Sequence, residues 1–234
     1  MNLYESRLMI AIRSVARKSG LLRFFSSLIQ SGNYESSFDN AMLSRVLVGD
    51  VVWDVGANVG YYTIKFSEVV GNLGRVYAFE PFPSTVLQLE EAVFGRNNCL
   101  VLDVGLGTSD IEMSMVQGGD ELGATNRVVS RVSDVDPSFG VKIFKGDSVI
   151  SSGRAESPNF IKIDTEGSEL DVLEGIPELL RSPSLRVVCI EVHFGILSER
   201  GDSFAPLRIV EILRDAGFVT SWVDSSHLIG ERRQ

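Results

Sequence analysis

From Gly49 onward, short apolar runs alternate with stretches of helical period, and this alternation constrains the fold more than any other feature. Strands are predicted at Val51–Asp54, Arg75–Glu80, Cys99–Val104 and Ile111–Val116, then at Phe160–Asp164, Arg186–Val192 and Phe218–Val223. Between them, helical patterns run over Tyr61–Val70 (closed by Gly71), Pro83–Phe94 (Val86, Leu89 and Val93 on one face), Ser168–Leu180 and Pro206–Ala216. The stretch from Gln117 to Gly140 is polar and punctuated by glycine, an excursion from the alternation rather than a linker. Strands that alternate with helices of this length imply a mainly parallel sheet covered on both faces. The expected class is therefore α/β, a doubly wound, Rossmann-like sheet in a single domain over residues 49–234, preceded by a helical segment over residues 1–48.

That leading segment differs in charge from the rest. Between Glu5 and Glu35 there is no acid, whereas Arg7, Arg13, Arg17, Lys18 and Arg23 are basic and Leu8, Ile12, Val15 and Leu22 recur at helical spacing. The basic residues interrupt any signal-peptide core. The expectation is a helix packed on the main domain; a helix lying on a membrane surface is the alternative. No run of 18 apolar residues occurs, so no membrane span is expected. The formal net charge of −9 argues against a general nucleic-acid partner, which needs a basic face. Cys99 and Cys189 sit in apolar runs without metal spacing, which reads as buried thiols in a reducing, cytoplasmic setting.

In doubly wound folds ligands sit beyond the carboxyl ends of the strands, where strand order reverses. The first strand-to-helix turn reads Asp54-Val-Gly56-Ala-Asn58-Val-Gly60. Gly56 suits the tight turn and Gly60 a close helix approach, and Glu80, twenty residues past Gly60, is placed to accept hydrogen bonds from ribose hydroxyls. A dinucleotide would need glycine where Asn58 stands, and its pyrophosphate would be repelled by Asp54. S-adenosylmethionine carries a ribose and an adenine with positive charge and no phosphate, so Asp54 and Glu80 both favour it. Tyr61, Tyr62 and Phe82 border this loop; Phe82 is a candidate wall of the adenine pocket, with plain packing as the other reading.

Four blocks carry a resemblance: Val52-Trp-Asp-Val-Gly-Ala-Asn-Val-Gly-Tyr-Tyr-Thr63, Val76-Tyr-Ala-Phe-Glu-Pro81, Ile161-Lys-Ile-Asp-Thr-Glu-Gly-Ser-Glu169 and Val188-Cys-Ile-Glu-Val-His193. In order and spacing they are similar to the FkbM family of S-adenosylmethionine-dependent methyltransferases. The resemblance implies a class I methyltransferase sheet and methyl transfer to a hydroxyl oxygen, often of a sugar or a secondary metabolite. It also implies a cofactor contact where the third strand ends, a position held here by Asp103, where the family often has asparagine.

Asp164, Glu166 and Glu169 lie where a buried strand hands over to a helix, and Glu191 and His193 share a face at the end of the next strand. A parallel sheet brings these ends to the side of the glycine loop. The leading reading is catalytic: Asp164 and Glu166 orient a small-molecule hydroxyl acceptor and His193 is the candidate base. Helix capping and a divalent ion are the alternatives; no dedicated metal-loop spacing occurs, so no metal is predicted. The segment Gly118–Asn126 resembles the small-residue stretch that family members place near the acceptor, with a disordered surface loop as the other reading. A non-catalytic binding module of the same fold is the alternative function. His227 reads as an exposed loop residue.

Overall fold

The computed structural model describes residues 38–116, 127–128 and 138–233. The chain alternates as its pattern requires: β1 (Val51–Val55), α1 (Tyr61–Val70), β2 (Arg75–Phe79), α2 (Pro83–Ala92), β3 (Cys99–Leu102), β4 (Gly105–Leu106), β5 (Ile111–Val116), β6 (Arg127–Val128) and β7 (Ser138–Phe144). There follow α3 (Gly146–Ser151), β8 (Phe160–Ile163), α4 (Glu169–Glu174), α5 (Pro177–Arg181), β9 (Val187–Glu191), α6 (Phe194–Glu199), α7 (Ala205–Asp215), β10 (Phe218–Trp222) and β11 (His227–Arg232).

Seven strands form the main sheet in the order β10-β11-β9-β8-β1-β2-β3. β1, β2, β3, β8 and β9 are parallel, and β11 runs antiparallel to both of its neighbours. The chain winds outward from β1 in one direction and from β8 in the other, so the order reverses between β1 and β8. A crevice for a ligand is expected at that reversal, at the carboxyl ends of the strands.

Alternation along each strand sends successive side chains to opposite faces. Trp53, Phe79, Ile161, Ile163 and Ile190 pack with Val172 and Leu173 of α4 and Ile209 and Leu213 of α7. Val52, Val76, Phe160, Val187 and Cys189 pack the other face with Phe66 and Val70 of α1. Phe38, Met42 and Val46, in and just after a helical stretch over residues 38–43, join that second layer, so the described residues before Gly49 share the domain's core.

Besides α3 and α6, which the pattern did not predict, the structure departs from expectation in four places. Ile111–Val116 is a strand, but of a second, four-stranded sheet in the order β4-β7-β5-β6. Its partner β7 pairs with it antiparallel over six residues. The alternating Phe139, Val141 and Ile143 were its only signal, at the end of a polar stretch. Second, Ser168–Leu180 is two helices: Pro177 has no N–H to continue the first, and both Asp147 carboxylate oxygens accept N–H groups of α5, from Glu178 (2.9 Å) and Leu179 (3.0 Å). Third, His227 is 8% exposed rather than in an open loop, because the apolar run Leu228–Ile229 inserts β11 between β9 and β10. Fourth, Cys189 is buried but Cys99, on the edge strand β3, is only partly so. The basic amphipathic segment and the loop Gly118–Asn126 lie outside the described residues.

Candidate active site

The glycine loop leaves β1 on the side of the sheet where β2, β8 and β9 also end. Gly56 has φ 74, and a Cβ there would stand 1.9 Å from the Asp164 carbonyl oxygen. The glycine is thus demanded by the exit of β8 as well as by the turn. Gly60 has φ 91, and its added Cβ would meet Leu89 Cδ1 at 2.9 Å, so the close approach it permits is to α2 rather than to the strand. Asn58 takes the left-handed conformation at φ 49, which asparagine tolerates. Its N–H donates to Glu80 Oε2 (3.0 Å), and the Phe82 N–H donates to Glu80 Oε1 (3.1 Å).

Glu80 therefore ties the loop after β1 to the entry of α2. It is 4% exposed, and burial pushes its carboxyl up to about 7 despite the two N–H donors. Each oxygen uses one acceptor position on the backbone and keeps another, enough for two ribose hydroxyls. Phe82 is the N-cap of α2 and half-buried beside it. Asp103 stands exposed just past the end of β3, at the same edge of the sheet.

Asp54 lies deeper. Its Oδ2 accepts the Thr63 hydroxyl at 2.6 Å, and its Oδ1 faces Lys162 Nζ at 3.3 Å. Lys162 sits opposite it across the β1–β8 pair and reaches Asp164 Oδ2, also at 3.3 Å. Burial opposes this ammonium, yet Asp54 and Asp164 hold it above the ordinary lysine range. Sequence reasoning passed over Lys162. Its signal was a charge inside the otherwise apolar strand Phe-Ile-Lys-Ile, which a buried strand tolerates only when the charge is paired.

On the far side of Lys162 the acids predicted to be catalytic come together around one imidazole. His193 Nε2 lies 3.2 Å from Glu166 Oε2, 3.7 Å from Asp164 Oδ1 and 4.0 Å from Glu191 Oε1. Its Nδ1 is 2.7 Å from Glu169 Oε1, whose carboxylate is fully buried and also accepts the Gly167 N–H. Burial alone would lower the imidazole's pKa, but the hydrogen bond to Glu169 and the charges of Glu169, Glu166 and Asp164 push it up to about 9. Glu166 is raised, chiefly by burial and then by the neighbouring acids, against the opposing pull of His193. Its backbone is left-handed at φ 52, a strain of about 1–2 kcal/mol for a non-glycine residue.

Two further residues frame this cluster. His227 Nε2 lies 3.4 Å from Glu191 Oε2 and its Nδ1 2.6 Å from Asp224. Tyr62, whose ring lies 4.8 Å from Lys162 Nζ, donates its hydroxyl to Asp39 at 2.7 Å. The buried polar side-chain atoms that lack a hydrogen-bond partner among the described residues belong to Asp54, Asn58, Thr165 and Glu169. All four residues lie in or beside the two loops that face each other across the reversal of strand order. Such a concentration marks polar ground built for a ligand.

The sequence and the fold resemble those of known proteins. The model of the methyltransferase FkbM domain matches residues 54–220. The hexuronic acid methyltransferase AglP of Haloferax volcanii is 29% identical over 197 residues, covering 82% of this chain and 74% of that protein. The 31-O-demethyl-FK506 methyltransferase FkbM of Streptomyces tacrolimicus is 30% identical over 200 residues, 73% of each chain. Among solved structures, a putative methyltransferase from Streptococcus mutans in complex with SAH aligns with a TM-score of 0.53 at 13% identity, over 88% of this chain and 100% of that one. That likeness shows the fold. The match to the FkbM domain runs from Asp54 in the glycine loop through the acidic edge and into β10, and it makes this chain a member of the FkbM family of S-adenosylmethionine-dependent methyltransferases.

Proposed function

We propose that the protein transfers a methyl group from S-adenosylmethionine to a hydroxyl oxygen of a small polyhydroxylated acceptor, of the sugar-acid or secondary-metabolite kind. The observation that carries this reading is the convergence of Asp164, Glu166, Glu191 and His193 Nε2 beside the glycine loop, with Lys162 between the two groups. The names of the relatives, a hexuronic acid methyltransferase and a 31-O-demethyl-FK506 methyltransferase, support the same acceptor class.

The bound cofactor supplies a methyl already activated by its sulfonium, so the chain's own work is positioning. Glu80 holds the ribose, Asn58 and Asp54 line the loop, and Phe82 and Asp103 border the adenine. The lysine's two ion pairs fix Asp164 relative to Asp54, and so fix the acceptor side relative to the donor side. Asp164 and Glu166 orient the attacking hydroxyl, and its proton passes to the Glu166 carboxylate beside His193. Alignment of the reacting atoms accounts for several kcal/mol of the barrier, on the order of 7 or more in the best-oriented cases. Proton removal by a positioned group contributes roughly a hundredfold or more.

The test is a panel of sugars, sugar acids and hydroxylated natural products incubated with methyl-labelled S-adenosylmethionine. A methyl ether on at least one hydroxyl is expected. Donor binding without product across the whole panel would favour the non-catalytic module instead.

A further inference from the structure

We propose that Asp164, Glu191 and His193 form a divalent-cation site, with Glu166 at its rim, whose ion takes the acceptor's oxygen. The cation-binding part stands on the geometry alone; the acceptor part rests on the methyl-transfer reading above.

A carboxylate oxygen of Asp164, one of Glu191 and a ring nitrogen of His193 lie within 4.8 Å of one another. Ligand atoms each about 2.0–2.2 Å from a shared ion stand about 3–4 Å apart. From His193 Nε2, Asp164 Oδ1 at 3.7 Å and Glu191 Oε1 at 4.0 Å belong to that range. They contrast with the direct pair His227–Asp224, closed to 2.6 Å.

Each of the three ligands is anchored from behind by its other atom. Asp164 gives Oδ2 to Lys162 and turns Oδ1 toward His193. Glu191 gives Oε2 to His227 and turns Oε1 to the same place. His193 gives Nδ1 to Glu169 and leaves Nε2. A carboxylate behind a ligating imidazole fixes ring and tautomer and raises its basicity. Independent of these distances, Glu169 is fully buried and its Oε2 has no hydrogen-bond partner among the described residues. A buried carboxylate with one oxygen uncompensated is offset when a cation sits on the imidazole it holds.

Two carboxylates and one imidazole suit a first-row ion such as Mn²⁺ better than Mg²⁺ or Ca²⁺, which prefer oxygen alone. Three protein ligands leave open positions. An ion there acts as a Lewis acid on a bound hydroxyl, and it favours acceptors with a second oxygen adjacent to the methylated one, as in diols and hydroxy acids. In the step itself the O–H proton passes to the Glu166 carboxylate. The oxygen's electron pair forms the new O–CH₃ bond, and the C–S bond breaks with its pair returning to sulfur.

The test uses the full chain, stripped with chelator and desalted, titrated with MnCl₂ while free Mn²⁺ is read by electron paramagnetic resonance. One ion per chain is expected. Glu169→Gln should weaken it about 10–100-fold through the imidazole, and Glu191→Gln and His193→Ala at least as much, in protein whose melting is checked by circular dichroism. No saturable binding tighter than about 1 mM, or equal affinity in folded variants, would overturn the site. Because neither donor nor acceptor is present, that failure leaves the methyl-transfer reading standing. Full turnover of a diol acceptor by the stripped protein would overturn the ion's part in the reaction.

Discussion

The two halves of the site are held together by different physics. On the β1–β2 side, the carboxylates are tied down by definite hydrogen bonds: Glu80 by two backbone N–H groups and Asp54 by the Thr63 hydroxyl. On the β8–β9 side, Asp164, Glu166 and Glu191 face one imidazole at 3.2–4.0 Å and are partly exposed. The first half takes its shape from hydrogen bonds within the chain, as a site for an invariant cofactor needs. The second is a field of charge whose members have spare valence, which suits a reacting hydroxyl. Lys162 is the bridge, with one carboxylate of each half at 3.3 Å.

The largest way to break the comparison is to remove the bridge. Lys162→Met should destabilise the fold by about 3–5 kcal/mol, the cost of leaving buried carboxylates without their cation, measured by urea denaturation. Adding Asp54→Asn should recover part of the loss; no recovery would mean that the lysine acts through packing instead. Next in size, His193→Ala should cut turnover by roughly a hundredfold or more while donor affinity stays nearly unchanged. A lowered melting temperature with intact turnover per folded molecule would make His193 a structural residue.

A smaller effect sharpens the donor half. Glu80 titrates near 7 in the fold against 4.5 when free. Its raised value favours the protonated form, so its contribution to stability is complete below about 4.5 and is lost as pH rises through about 7. On the proposed reading ribose hydroxyls donate to the carboxylate, so donor binding has the opposite sign. Affinity for S-adenosylmethionine should therefore fall by up to about tenfold from pH 8 to pH 6. The Glu80→Gln variant should show a flat profile over the same range.

Much of this arrangement was legible in the residues, and the parts that were not share a cause. The strand-to-helix alternation located the main sheet, because buried parallel strands are apolar runs whatever lies across from them. The residues of the glycine loop and the acidic edge could be named because chemistry at strand ends is local to short motifs. Lys162 was missed because its role exists only across the β1–β8 register, which no single segment displays. His227 was misread for a similar reason: flanking serines and Asp224 look like a loop, and only pairing with β9 buries the ring against Phe38, 3.9 Å away. The second sheet was hidden because β5 and β7 find each other across an intervening polar stretch.

The division of the site into a donor half and an acceptor half is tested most directly by calorimetric titration of S-adenosylmethionine into the wild type, Glu80→Ala and Glu166→Gln. Glu80→Ala should lose about 1–3 kcal/mol of binding free energy, the range for hydrogen bonds to a charged group, and Glu166→Gln should bind as the wild type does. Equal losses in the two variants, or no loss in Glu80→Ala, would contradict the division.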